Sequence, residues 1–136
     1  MSNEKTFKVV YNDCYGGFDI SKKALAEYNR RMSTNFTYAE QILQSDPVLI
    51  ELVETMGKEV NSHVSRLKIK EFPIKYKGFL IWSEYDGKEN VSIDYDRYLI
   101  HHIKVVMDDK NLSSHEKMER IQGLYQEYDS RTKRDQ

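Results

Sequence analysis

Apolar residues recur along the chain at spacings that change several times, and each change marks a new element. Residues Thr6–Tyr11 (TFKVVY) are rich in β-branched and aromatic side chains and predict a strand. The segment Asn12-Asp-Cys-Tyr-Gly-Gly-Phe18 interrupts it as a turn. From Ile20 to Met32 the spacing becomes helical: Leu25, Tyr28 and Met32 share a face, and Ser21 or Asp19 is placed to cap the start. A short helix is expected over Thr37–Leu43. Ser45-Asp46-Pro47 then reads as a strong helix start, followed by Leu49, Leu52, Val53, Met56 and Val60 on one stripe. Gly57 either ends that helix or is tolerated inside it.

Residues Arg66–Phe72 alternate, with Leu67, Ile69 and Glu71 on one face, and predict a strand that Pro73 ends. Lys77–Tyr85 and Asn90–Ile93 are two more strands. Asp86-Gly87 between them is a hairpin signal, because a tight two-residue turn needs positive φ. From Asp94 to Met107 the period is helical again, with Tyr95, Leu99, His102 and Val106 in line. Ser113 and Glu116 form a capping-box pattern that opens a last helix carrying Met118, Ile121, Tyr125 and Tyr128. The expected class is therefore α+β: a small antiparallel or mixed sheet of three to four strands covered by helices, with a C-terminal helix pair. The first strand is expected to join the later hairpin in one sheet. The expected organisation is one domain, with an α/β core over 1–93, a two-helix extension over 94–131 and a frayed tail over 132–136.

Composition narrows the function classes. Of 136 residues, 21 are Lys or Arg and 22 are Asp or Glu, for a formal charge of -1, so nucleic-acid binding lacks its usual basic excess. No apolar run is long enough to span a membrane or to serve as a signal peptide. The single cysteine, Cys14, excludes an internal disulfide and suits a reducing, intracellular compartment. Without a secretory signal, the acceptor patterns at Asn35, Asn90 and Asn111 read as chance. Ten tyrosines supply much of the aromatic content, and a tyrosine serves equally in a core, a pocket wall or an interface.

The candidate chemistry centres on Asn12–Phe18. Two adjacent glycines between a strand and a helix allow positive φ and close approach of another group. A phosphate or carboxylate set against Gly16, Gly17 and the first helical turn would meet unpaired N–H groups. Asn12, Asp13 and Cys14 border that position, and Tyr15, Phe18 and Trp82 offer rings for stacking. The plainer reading is a tight connection whose aromatics plug the core, since such turns before helices are common. Glu84 and Glu89 flank the Asp86-Gly87 turn as polar hooks, or simply as a solvated hairpin tip; their spacing fits no calcium loop. Cys14 near a helix start is a nucleophile candidate, but no cysteine-enzyme signature surrounds it, and a small buried side chain is the alternative. His63-Val-Ser65 is similar to the His-x-Ser/Thr element of two-histidine phosphoesterases, of which no second copy is present. His101 and His102 are helix neighbours about 100° apart, too divergent to chelate together; His102 is expected inward and His101 outward. No cofactor and no metal are expected.

The strand, the Asn12–Phe18 turn and the helix with Ala24 and Tyr28 together resemble a family of small proteins of bacteriophages and large DNA viruses. The likeness extends to Asp46-Pro-Val-Leu-Ile-Glu-Leu-Val-Glu54 and to the Glu84-Tyr-Asp-Gly-x-Glu89 hairpin, and covers residues 7 to about 93. It implies a viral setting and carries over no catalytic role. The leading expectation is a non-enzymatic viral protein that sequesters a small anionic, nucleotide-like ligand at Gly16-Gly17. Its rival is a protein-interaction module engaging a host or viral protein through tyrosine-rich helices, and a small enzyme using Cys14 stands third. A homodimer through Met118, Ile121, Tyr125 and Tyr128 is a further partner expectation.

Overall fold

The computed structural model describes residues 5–133 and divides into two compact units. One comprises Met1–Lys77 with Ile81–Ser92, the other Gly78–Leu80 with Ile93–Gln136. The α+β class holds: among the described residues, four α-helices accompany four antiparallel strands.

In the first unit, β1 (Thr6–Asn12) pairs antiparallel with β2 (Leu67–Pro73), placing Val10 opposite Ile69 and Asn12 opposite Leu67. The expected pairing of β1 with the hairpin is not what forms. β3 (Leu80–Tyr85) and β4 (Lys88–Ile93) make a separate two-stranded sheet. Val10, Leu67 and Ile69 turn to the helices, while Val9 and Phe72, on the opposite face, are also buried. Alternation assigns residues to faces but is silent about which strand lies at an edge, so it does not distinguish β2 from the hairpin as the partner of β1.

Helix α1 (Lys22–Met32) starts at Ser21, whose hydroxyl accepts from Ala24 N at 3.1 Å. Helix α2 (Pro47–Met56) starts at Asp46, whose carboxylate accepts from Val48 N at 2.8 Å, with Pro47 at the first position. Gly57 ends α2 at φ 57°. The helix expected over Thr37–Leu43 shrinks to a single 3-10 turn, Ala39–Gln41, because Ile42 returns to extended backbone. Ala24, Tyr28, Leu49, Leu52 and Val60 form the core with Val10 and Leu67. Tyr28 also donates to the Asp46 cap at 2.7 Å, tying α1 to the start of α2, and burial pushes its hydroxyl up to about 12.

In the second unit, α3 (Tyr95–Asp108) is capped by Asp94 and α4 (Ser114–Thr132) by the Ser113/Glu116 capping box. Tyr128 donates to Asp96 at 2.6 Å and Lys117 to the Met107 carbonyl at 2.8 Å, so the two helices run antiparallel. Leu99 is buried, His102 half-buried and His101 exposed, as the helical spacing predicts. α4 keeps no buried residue, and Met118 and Tyr125 on its apolar stripe stay exposed. Of the tail expected to fray, Thr132 completes α4, Lys133 follows it, and 134–136 lie outside the described residues. Among the described residues no helix is long and apolar enough to cross a membrane.

Candidate functional site

The Asn12–Phe18 turn meets the tip of the β3–β4 hairpin backbone to backbone. Asp86 and Gly87 both take positive φ, 51° and 86°, as a two-residue turn demands. Gly16 N donates to the Asp86 carbonyl at 2.9 Å. A Cβ on Gly87 would run into Gly17 N and come within 2.6 Å of Gly16 C; one on Gly16 would meet the Val64 carbonyl at 2.5 Å. These glycines are required because two backbone segments cross with no room for side chains.

Asn12 is the bolt of this crossing. It is fully buried, and its side chain donates to the carbonyls of Cys14 (2.7 Å) and Gly87 (2.8 Å) while accepting from Arg66 N at 2.8 Å. Its own N–H goes to Glu89 Oε1 at 2.8 Å, which also accepts from Gln44 Nε2 at 2.9 Å. Gln44 in turn bonds both ways with Val10 of β1. A short bond from Gly87 N to the Glu84 carboxylate fixes the hairpin turn. Three expected ligand contacts, Asn12, Glu84 and Glu89, therefore have structural partners.

Outside the crossing lies a shallow open groove of about 260 Å³, lined by Tyr15, Ser83, Glu84, Tyr85, Lys88, Glu89 and Asn90. Tyr15 and Tyr85 are 61% and 72% exposed and meet edge to face, with ring centres 6.3 Å apart. Lys88 stands 5.6 Å over the Tyr15 ring. Asp13 takes an ion pair from Lys68 at 2.6 Å and a looser one from Lys88 at 3.8 Å. The Lys68 hydrogen bond holds its carboxyl below the usual range, against the opposing cost of burial.

The remaining expected residues disperse. Phe18 packs half-buried against the helical core. Trp82 lies on β3, 40% exposed and outside the groove lining. Cys14 is half-buried, with its sulfur 3.3 Å from the Tyr15 carbonyl. Helix α1 begins only at Lys22, so its first turn is not continuous with Gly17. Among the described residues no three His, Cys, Asp or Glu side chains cluster as metal ligands. Tyr85, Lys88, Lys68 and Gln44 were missed by sequence reasoning. Tyr85 and Lys88 flank the Asp-Gly turn, a local signal; Lys68 and Gln44 arrive through long-range pairing that no spacing reveals. In comparisons with known proteins, no family model, no curated protein and no solved structure matches this chain.

Proposed function

We propose that this chain is a non-enzymatic binding module whose working surface is the hairpin β3–β4 together with Tyr15, and that its partner is a polypeptide. The observation that carries this reading is the exposure of β3. Leu80 is half-buried and Ile81 to Tyr85 are all exposed, including Ile81, Trp82 and Tyr85. A strand with three large apolar side chains in water lacks the cover that a hydrophobic strand normally finds. Tyrosine and tryptophan presented by a rigid hairpin supply large contact area at low entropic cost. The surface differs from the tyrosine-rich helices named from sequence.

Capture of a small anion at Gly16-Gly17 is less well supported. The Gly16 donor already serves Asp86, the Gly87 backbone covers Gly17 N, and Glu84 and Glu89 line the adjoining groove. Lys88, the cation that lines that groove among the described residues, leans toward Asp13. The likeness to viral proteins suggests a partner inside an infected cell, of host or viral origin. A photo-crosslinking residue at position 85 tests the module. We expect a discrete polypeptide adduct from position 85, none from Lys58 as a control, and no binding across a nucleotide panel in equilibrium dialysis. Nucleotide binding without any adduct would restore the anion reading.

A further inference from the structure

The hairpin exposes more than side chains. In a two-residue antiparallel hairpin the residues flanking the turn bond to each other. Tyr85, Ser83 and Ile81 thus direct their backbone groups at β4, while Glu84 and Trp82 point theirs away from it. The opposite edge of the hairpin is engaged, since the Val91 carbonyl accepts from Lys70 at 2.8 Å. The β3 edge is not: among the described residues no hydrogen bond reaches the outward backbone groups of Trp82 or Glu84. Edge strands in folded proteins are ordinarily blunted by charged side chains, lysine above all, by proline or by a bulge. β3 reads Leu-Ile-Trp-Ser-Glu-Tyr, with no lysine or proline and Glu84 as its one charge. Its body-facing side continues that of Val91, which is fully buried, yet Trp82 on the same side is 40% exposed. Trp82 therefore keeps part of its ring uncovered on that side of β3, where the side chains of one more strand could pack.

Charge selects the occupant. Glu84 and Asp86 at the β3 end and Glu89 beside them pair with no cation among the described residues; their hydrogen bonds come from neutral N–H groups. Of the nearby cations, Lys68 and Lys88 are drawn to Asp13 and Lys70 to the Val91 carbonyl on the far edge of the hairpin. Resting on the module reading above, we propose that the β3 edge takes an extended basic segment of the partner by strand addition. Its backbone would pair with Trp82 and Glu84, its alternate apolar side chains would pack beside Trp82, and its cations would face Glu84 and Asp86.

Trp82 is the only tryptophan, so its emission reports this edge directly. The test titrates the full chain with an acetylated, amidated alternating Lys-Val decapeptide and with its Glu-Val counterpart, while amide exchange is followed by NMR. We expect the basic peptide to shift Trp82 emission and slow exchange at Trp82 and Glu84, with binding weakened by added salt. In Glu84→Gln with Asp86→Asn, which keep the turn's acceptor and its tolerance of positive φ, binding should weaken about ten-fold, roughly three-fold per exposed charge. Equal binding of the acidic peptide, no binding of the basic one, or protection away from β3 overturns strand addition. So does protection of Trp82 and Glu84 that grows with protein concentration in the absence of peptide, which would assign the edge to a second copy. An adduct from position 85 combined with any of these results leaves the module standing and removes only this inference.

Discussion

Asn12 shows how much one side chain can hold. It satisfies the Cys14 and Gly87 carbonyls and the Arg66 amide from a site with no exposure. Removing the amide strands three backbone groups in part-buried positions, each costing up to about 1–3 kcal/mol if left without a partner. Asn12→Ala is expected to lose about 3 kcal/mol in urea unfolding. Asn12→Asp should be no better at neutral pH, since a carboxylate would face two carbonyl oxygens, and should regain stability as the pH falls and the group protonates. The glycines separate similarly: Gly87→Ala forces a methyl into Gly17 N, whereas a methyl on Gly17 meets open space and only the strain of φ 118°. Gly87→Ala should therefore unfold at lower urea than Gly17→Ala, whose cost is about 1–3 kcal/mol; the reverse order would mean the crossing is not tight. Cys14→Ser is expected to leave both stability and partner binding nearly unchanged, measured by melting and by the position-85 adduct.

At the scale of elements, the helix starts were legible because capping is local. Ser21, Asp46-Pro47 and Ser113/Glu116 each act within three or four residues, and each is where the spacing placed it. The sheet was not legible in the same way. Whether Val10 lies opposite Ile69 or opposite a hairpin residue depends on contacts some sixty residues apart, and alternation is silent about partners. The same limit hid Gln44 and Lys68 from the candidate site. The Asp86-Gly87 turn was readable, but not that its tip would close over Gly16-Gly17. Within α3, His102 packs against Tyr98 with ring centres 4.2 Å apart and near Phe79, and burial, helped by the nearby His101, lowers its pKa below 6.5. A base whose folded pKa is depressed leaves the unfolded chain to bind the proton first. Its contribution is thus complete above about 6.5 and is lost as the pH falls from there toward the folded value. Melting of the helix pair should drop between pH 7.5 and 5, and His102→Gln should flatten that drop.

For the whole molecule, the two units differ in what holds each of them. The first encloses a core in which Val10, Ala24 and Leu49 have no exposure and Leu52 and Val60 nearly none. Among the described residues, the second has Leu99 as its buried apolar residue, a 19-residue helix with none, and an open groove of about 410 Å³ beside Met107, Met118 and Ile121. Little apolar burial and much exposed helical backbone mean low local stability, so opening should not be uniform along the chain. A single midpoint is then a poor description of unfolding. Amide exchange should be slowest in β1, β2 and α2, and faster in α3 and α4 by at least a hundred-fold, a difference of about 2.7 kcal/mol in opening free energy. Truncation after Asn111 removes α4 and should leave protection of β1, β2 and α2 unchanged while exposing α3. If α4 instead exchanges as slowly as β1 in the intact chain, its stripe of Met118, Ile121 and Tyr125 must be covered in solution, and a concentration-dependent sedimentation coefficient would identify a second copy as the cover.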